Sequence, residues 1–498
     1  MVGITGFGAY VPRLRLQRTA MAKANAWLNP GLAGRAKGER ALGNWDEDAI
    51  TLAVEAARDL LGPGDDRSHI NALSFASTTA PFSDRLNAGI VSAALTLDAS
   101  VHATDVTGSQ KAGMTALAQA LFLTNGGPDS AKPTVLVAAG ERRRAKAVST
   151  QEFDYGDAGA ALSVGGDNVI ADWIGHAVTT ADFVDHFRGA GEDFDYQWEE
   201  RWIRDEGFAK LVPPTLARAL EGAELTSADV DHFILPCTFR GAPEKIAKKL
   251  GIKPEAVRDR LALQVGEAGA AHALLMLAHA LESAKPGDVI LAAQFGQGCE
   301  ALIFRVTDAI GSFTPQKGVS GWLAEGKPED NYMKLLVFNG LVAWEKGMRA
   351  EKDTKTALTT LYRNSDQILG LVGGRCTKTG TVQFPRSRIS VSPNAPEVDT
   401  QEPYKFAERK ASVLSYSADY LTYSMNPPNH YGMIVFEGGG RIFMDIGDVE
   451  PGEIDAGAPV RMAFRVKEWD EARGFTRYFW KAVPDRTRSA ASAAQAAE

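Results

Sequence analysis

Apolar runs of strand length alternate with segments of helical spacing from the start of the chain to Arg305. Residues 1 to about 13 read as a strand. Behind the acidic turn Trp45-Asp46-Glu47-Asp48, the residues Ala49, Leu52, Ala53, Ala56, Leu60 and Leu61 fall at helical spacing, which predicts a helix through Leu61. His69 to Ser77 reads as the next strand. An extended, Thr-rich lead-in then turns at Gly108 and Ser109 and opens a long helix through Leu121, so Gln110 stands at a helix N-terminus. Pro133 to Gly140 is a β-rich apolar run of the kind buried on both faces of a sheet.

The second half repeats this plan. Leu216 to Cys237 answers Ala49 to Ser77, with Ala228-Asp229-Val230-Asp231 leading into Phe233-Ile234-Leu235-Pro236. Gly266 to His272, the helix through Ser283 and the strand Asp288 to Ala293 answer Gly108 to Gly140. Strands alternating with helices of this length predict an α/β fold with a mainly parallel sheet and right-handed crossovers. Two such halves, about 1–170 and 205–310, predict a pseudo-twofold domain over 1–310 with a pocket between them. The charged aromatic stretch from Asp185-His186-Phe187-Arg188-Gly189 to Trp202 interrupts the repeat, and reads either as a lid over that pocket or as a helix on the domain surface.

Residues 311–332 are rich in Gly, Pro and charge, as a linker is. Over 333–484 the pattern changes to a helical segment from Leu335 through Ala350, then short turn-bounded runs. These are Leu369 to Val372, Val413 to Ser417, Gly432 to Phe436, Gly440 to Asp445 and Val460 to Arg465. Regularly spaced short strands predict a small all-β barrel. The Ala- and Ser-rich tail over 485–498 is expected to be disordered.

Composition changes this picture little. A net charge of −8 with only the short basic run Arg142-Arg143-Arg144 argues against nucleic acid as a partner, while leaving room for a small anionic ligand. Three well-separated cysteines, Cys237, Cys299 and Cys376, argue against a disulfide framework. With no apolar leader and no run of eighteen apolar residues, the expectation is a cytoplasmic chain without a membrane partner. The chemistry to look for lies at the central turn, because backbone N–H groups and the helix dipole favour an anion there, whether a thiolate, a carboxylate or an oxyanion. The residue at the turn is nonetheless a glutamine.

The repeat and the turn together resemble the thiolase superfamily, specifically its hydroxymethylglutaryl-CoA synthase and ketoacyl synthase III branch. The stretches that carry the resemblance are Asp46-Glu47-Asp48, Ser109-Gln110-Lys111-Ala112-Gly113, Tyr155-Gly156-Asp157-Ala158-Gly159-Ala160-Ala161, Ala247-Lys248-Lys249-Leu250-Gly251 and Phe295-Gly296-Gln297-Gly298-Cys299. The resemblance implies a five-layered domain of duplicated βαβ halves, a coenzyme A thioester as substrate and a homodimer. The C-terminal part resembles the OB-fold partner with a zinc ribbon that accompanies many thiolase-like enzymes. Of the ribbon's four cysteines only Cys376 is present, with Thr379, Arg388 and Val391 near the other positions, so no bound metal is expected.

The departures from the family pattern are chemical. Gln110 stands where family members acylate a cysteine, and Thr78 falls near the general-base glutamate. Ile234 to Cys237 lacks the family histidine, and Val265 or Gly266 replaces the asparagine. Candidate replacements are His272 as acid or base beside Glu267, Cys237 as a relocated thiol, and Gln110 with Ser109 as the lining of an oxyanion pocket. Arg240, Lys245 and Lys248 are candidate contacts for the phosphates of coenzyme A. The resemblance without a nucleophilic cysteine implies aldol or retro-aldol chemistry on a β-hydroxyacyl-CoA. The alternatives are Claisen-type acyl transfer by a relocated thiol, and a non-catalytic acyl-CoA-binding or scaffold subunit.

Overall fold

The structure, a computed structural model, describes residues 1–127, 132–355 and 357–487. It divides into two compact units. The first comprises 1–62, 68–91 and 98–343, and the second comprises 344 onward together with 63–67 and 92–97.

The first unit is built on a nine-stranded sheet. Its elements, in chain order, are β1 (Gly3–Tyr10), α1 (Ala49–Leu61), β2 (Ile70–Ala76), β3 (His102–Val106), α2 (Ala112–Gly126), β4 (Thr134–Glu141), β5 (Ala158–Gly165) and β6 (Ala171–Thr180). There follow a short hairpin of β7 (His186–Phe187) and β8 (Tyr196–Gln197), then α3 (Ala209–Gly222), β9 (His232–Ile234), α4 (Ala242–Leu250), α5 (Gly269–Leu281), β10 (Val289–Phe295) and β11 (Gly298–Val306). The strand order is β9-β10-β11-β6-β1-β5-β4-β2-β3. Only Gly3 and Ile4 of β1 pair with β6, so the sheet consists of two halves joined at one short seam.

Helices α2 and α5 lie between the halves, with α1 outside the first and α3 outside the second, giving five layers. Helix α5, Gly-Ala-Ala-His-Ala-Leu-Leu-Met-Leu-Ala-His-Ala-Leu, is apolar nearly all round because it is buried all round. It meets α2 at backbone contact distance, since a Cβ on Gly113 would lie 2.1 Å from the Ala270 carbonyl oxygen. Helix α1 starts in a reciprocal cap in which Thr51 N donates to Asp48 Oδ1 (3.0 Å) and Asp48 N to Thr51 Oγ1 (2.8 Å).

Two expectations for this unit need correction. The sheet is mixed, not mainly parallel. Only the pairs β2–β3, β2–β4 and β9–β10 are parallel, and the centre runs antiparallel. The reason is the connections: Gly296-Gln297 between β10 and β11 is too short for a crossover. The segment 311–332 is also no linker. Lys327–Glu329 pairs with Leu14–Gln17, and buried Trp322 packs edge-on to Tyr10 (4.7 Å). Asp59 accepts from the backbone N–H of Lys317 (2.7 Å) and Gly318 (3.1 Å). Val319 and Trp322 anchor the segment in the core, which a composition average conceals. The unit therefore runs to Ala343 and not to 310.

The second unit holds a three-stranded sheet of Val372–Cys376, Val382–Gln383 and Gln401–Lys405 and a closed barrel of five strands: β12 (Ala411–Asp419), β13 (Asn429–Phe436), β14 (Arg441–Ile446), β15 (Pro459–Asp470) and β16 (Phe475–Pro484), in the order β12-β13-β14-β16-β15. Its core holds Val460, Phe464, Tyr478 and Trp480, whose indole N–H donates to Leu369 O (2.7 Å). The helix expected over 335–350 is shorter, Tyr332–Phe338, and strand structure begins at Val372 rather than Leu369. Where a ribbon would bind metal, Cys376 Sγ lies 3.1 Å from Thr400 Oγ1 and accepts from Thr379 N (3.4 Å), while Arg388 pairs with Asp399 at 2.6 Å. Hydrogen bonds and an ion pair hold these loops. Among the described residues no group of His, Cys, Asp and Glu is arranged to hold a metal, and no helix is long and apolar enough to cross a membrane. From 488 onward the expected tail lies outside the described residues.

Candidate active site

The turn between β3 and α2 passes through Gly108 at φ +89°, a conformation that suits glycine, and presents Ser109, Gln110 and Lys111. Ser109 Oγ donates to Gly296 O (2.9 Å), which ties this turn to the β10–β11 connection. A Cβ on Gly296 would sit 2.9 Å from Lys111 N and 3.4 Å from Gln110 N. The glycine therefore leaves open the space that these two amide groups border. Such a space suits a developing oxyanion.

The side chain of Gln110 is held from two sides. Its amide oxygen accepts from both terminal nitrogens of Arg143 (3.0 and 2.7 Å) and from His186 Nε2 (2.9 Å). The opposite amide orientation would aim an NH2 at a guanidinium, donor against donor. His186 Nδ1 lies 2.9 Å from Asp185 Oδ2, and Asp185 Oδ1 accepts from Gln297 Nε2 (3.2 Å). Asp185 and the Gln110 amide oxygen thus face the two ring nitrogens of His186.

Arg143 is the hub. It donates to Glu267 Oε2 (2.7 Å), to the Tyr155 hydroxyl (2.6 Å) and to Asp195 Oδ2 (3.0 and 2.6 Å), and its guanidinium lies 3.7 Å from the centre of the Tyr155 ring. Burial works against this cation, but Tyr155, Asp195 and Glu267 outweigh it and hold Arg143 firmly protonated. Burial also opposes the Asp195 carboxylate, and Arg143, Arg188 and His186 more than compensate, holding it below the usual carboxylate range. Burial pushes the Tyr155 phenol up. Arg188 donates to Asp195 Oδ1 (2.9 Å) and to the carbonyl of Thr78.

Behind the hub lies Glu141, at the end of β4, fully buried. It accepts from Thr78 N (3.0 Å), from the hydroxyls of Thr78 and Thr79, and from Ala270 N at the start of α5 (3.1 Å). Burial raises its pKa despite these donors. Its contacts fasten the Thr78 loop to α5.

Comparison with known proteins gives this arrangement its context. Residues 220–306 match the model of the C-terminal part of 3-oxoacyl-[acyl-carrier-protein] synthase III, and residues 404–465 match the C-terminal OB-fold domain of ChsH2. The hydroxymethylglutaryl-CoA synthase of Methanopyrus kandleri is 28% identical over 62% of this chain and 89% of its own length. That of Aeropyrum pernix is 29% identical over 63% and 87%. The chain joins a thiolase-like, hydroxymethylglutaryl-CoA synthase-like domain to an OB-fold domain. Among solved structures, MvaS in complex with 3-hydroxy-3-methylglutaryl coenzyme A shares the fold of the thiolase-like domain with a TM-score of 0.57 at 19% identity, covering 68% of this chain and 91% of MvaS. The 3-oxoacyl-[acyl-carrier-protein] synthase III of Aquifex aeolicus does so at 0.52 and 19%, covering 61% of this chain and all of the enzyme.

The thiolase-like domain brings some of the sequence candidates together and leaves others apart. Gln110, Ser109 and Glu267 all belong to the constellation just described. His272 does not: its Nδ1 accepts from Ala268 N (3.0 Å) and its Nε2 donates to Arg260 O (2.8 Å), so both nitrogens serve the backbone. Burial lowers its pKa, and it is a neutral core histidine. Cys237 packs in an apolar cluster with Phe208, Phe239 and Phe295, and burial pushes its thiol up to about 12, far from a reactive thiolate. Arg240, Lys245 and Lys248 are exposed, and Arg240 donates to Gly34 O (3.2 Å).

Sequence reasoning missed Arg143, Tyr155, Asp185, His186, Arg188 and Asp195 as site residues. Arg143 stood in a basic run weighed only for nucleic acid. The others stood in a family motif and in the insertion. A histidine flanked by an acid and an arginine, in an interruption of an otherwise regular repeat, was the signal available.

Proposed function

We propose that the thiolase-like domain binds an acyl-CoA and makes or breaks a carbon–carbon bond in it without a covalent acyl-enzyme, as an aldolase acting on a β-hydroxyacyl-CoA. The observation that carries this reading is the placement of the His186–Asp185 pair against Gln110, at the position where an acyl-enzyme would otherwise form. An acid–base group stands there in place of a nucleophile. Aldol chemistry needs the first and not the second.

In the cleavage direction, neutral His186, with Nδ1–H on Asp185 and its unprotonated Nε2 turned from Gln110 to the substrate, takes the proton of the β-hydroxyl. The freed electron pair closes the new carbonyl as the Cα–Cβ bond breaks, and the bonding electrons pass into the thioester as an enolate. The amide of Gln110 beside Gly296, joined by that of Lys111 as it leaves Ser109 Oγ (3.3 Å), stabilises its oxygen. The imidazolium, stabilised by Asp185, then returns the proton to Cα. In the condensing direction the steps reverse, and the imidazolium protonates the alkoxide forming at Cβ. Arg240, Lys245 and Lys248 supply exposed cationic charge for the phosphates of coenzyme A. A homodimer accompanies this reading through resemblance, and light scattering checks it.

The test is turnover of a panel of 3-hydroxyacyl-CoAs by the full chain, read by chromatography, with intact-protein mass spectrometry on the same samples. Cleavage to a shorter acyl-CoA, no adduct, and loss of at least a hundredfold in kcat in His186→Ala support the aldolase. A stable acyl adduct would turn the reading toward acyl transfer. Absence of both turnover and ligand retention would leave the scaffold reading standing.

A further inference from the structure

Asp195 is held as a bound carboxylate ligand is held. Arg143 Nε and Nη2 grip one oxygen at 3.0 and 2.6 Å, the Tyr155 hydroxyl reaches the same oxygen at 3.1 Å, and Arg188 Nη1 takes the other at 2.9 Å. The carboxylate is about 5% exposed, the Arg143 side chain about 3%, and the amide oxygen of Gln110 accepts from the same guanidinium. Asp195 is nonetheless not part of the domain's packed body. It ends the tip of the β7–β8 hairpin, whose residues Gly189 to Asp193 are exposed and include Gly191 at φ +84°. The hairpin pairs only Phe187 with Tyr196 and His186 with Gln197, and it leaves Phe187, Tyr196 and Trp198 more than half exposed. Polar contacts, not a buried apolar face, attach the tip.

Charge accounting shows what would replace it. With the carboxylate of Asp195 swung into water, Arg143 keeps Glu267 at 2.7 Å while Arg188 keeps only the Thr78 carbonyl, so one guanidinium is left without an anionic partner. Such a site takes up an anion, and a planar fork of guanidinium groups selects a carboxylate. We infer that Arg143, Arg188 and Tyr155 form a subsite for a carboxylate on the acyl chain of the substrate, with Asp195 as its tethered occupant when no substrate is bound. The proximity of the subsite to Gln110 and His186 makes the preferred substrates thioesters of dicarboxylic acids. This rests on the reading of the domain as an acyl-CoA enzyme.

The experiment compares glutaryl-CoA with pentanoyl-CoA, which differ at the far end of the chain by a carboxylate, as ligands of the full chain and of Asp195→Asn by calorimetry. Glutaryl-CoA binding at least tenfold tighter in either protein, with the preference lost in Arg188→Gln, is the expected result. Relief of competition in Asp195→Asn should tighten glutaryl-CoA and leave pentanoyl-CoA unchanged. Equal binding of the two thioesters in both proteins overturns the inference while leaving the acyl-CoA reading intact. If neither thioester binds, free glutarate against pentanoate on Asp195→Asn separates the two ideas. Selective uptake of glutarate keeps the carboxylate subsite and removes coenzyme A, and absence of uptake removes both.

Discussion

Arg143→Met is the sharpest test of the hub. Methionine fits the volume of the stem but removes the charge that Asp195 and Glu267 share, at 2.6 and 2.7 Å, along with donors to Tyr155 and Gln110. Breaking a buried ion pair from one side costs about 3–5 kcal/mol, because the surviving charge is left uncompensated. Glu267 is stranded here while Asp195 keeps Arg188 at 2.9 Å, so a loss within that range is expected at pH 7. At roughly 2 °C per kcal/mol for a unit of this size, the calorimetric midpoint should fall by about 6–10 °C. The pH dependence carries the sign. Asp195 has a depressed folded-state pKa, so its contribution to stability is present above the unfolded carboxyl value, near 3.9, and is lost as pH falls through the folded value. The gap between wild type and Arg143→Met should hold from pH 7 to 5 and shrink below about 4. A destabilisation under about 1 kcal/mol at pH 7, or a gap that widens in acid, would refute the account of Arg143 as the charge that holds this site together.

Three further changes test neighbouring parts of the argument. Gly296→Ala puts a methyl group 2.6 Å from Ser109 Oγ and 2.9 Å from Lys111 N, and should reduce kcat by about 10²-fold, as loss of an oxyanion donor does; unchanged turnover would remove that pocket from the mechanism. Asp59 is raised by burial to about 6 despite N–H donors from Ala9, Lys317 and Gly318. Its folded-state pKa lies above the unfolded one, so stability should fall by about 3 kcal/mol as pH rises from about 3 to about 7, and denaturant titrations of Asp59→Asn should lack that slope. Gln110→Cys places a thiol at the N-terminus of α2, between Arg143 and His186, and should give a thiolate that iodoacetamide labels fully near pH 7; labelling no faster than that of an ordinary thiol would contradict the electropositive turn.

What the sequence made legible follows from which signals are local. The repeat was readable because each βαβ unit carries its own periodicity, and the turn at Gly108 because a strand-to-helix switch shows in the residues themselves. Strand direction was not readable, since a run such as Ala158 to Gly165 is equally apolar in parallel and antiparallel pairings. The segment 311–332 failed for a different reason: Phe313, tilted against Phe7 with ring centres 5.1 Å apart, and Trp322 fix it to the first unit, yet two aromatic residues barely move the mean of a polar stretch. At the site, His272 looked right by its place at the start of the helix that mirrors the central one, and proved to be spent on Ala268 and Arg260, a fate decided by backbone groups in a neighbouring loop. Arg143 owes its role to partners at 155, 195 and 267, separations over which no periodicity reports.

On the proposed reading, the residues at 78 and 110 and the hairpin act together. The resemblance puts Thr78 at the family's general-base position, and its carbonyl receives Arg188 from the hairpin. The resemblance puts Gln110 at the nucleophile position, and its amide receives His186 from the same hairpin. A glutamate at 78 and a thiolate at 110 would have drawn these cations into fixed ion pairs, whereas a threonine carbonyl and a neutral amide accept hydrogen bonds without neutralising them. The charge the hairpin brings therefore stays available, balanced only by its own Asp185 and Asp195. On the proposed reading the catalytic charge rides on a hairpin fastened by polar contacts, and a hairpin so fastened exchanges its contacts with a charged substrate at far lower cost than a packed sheet would.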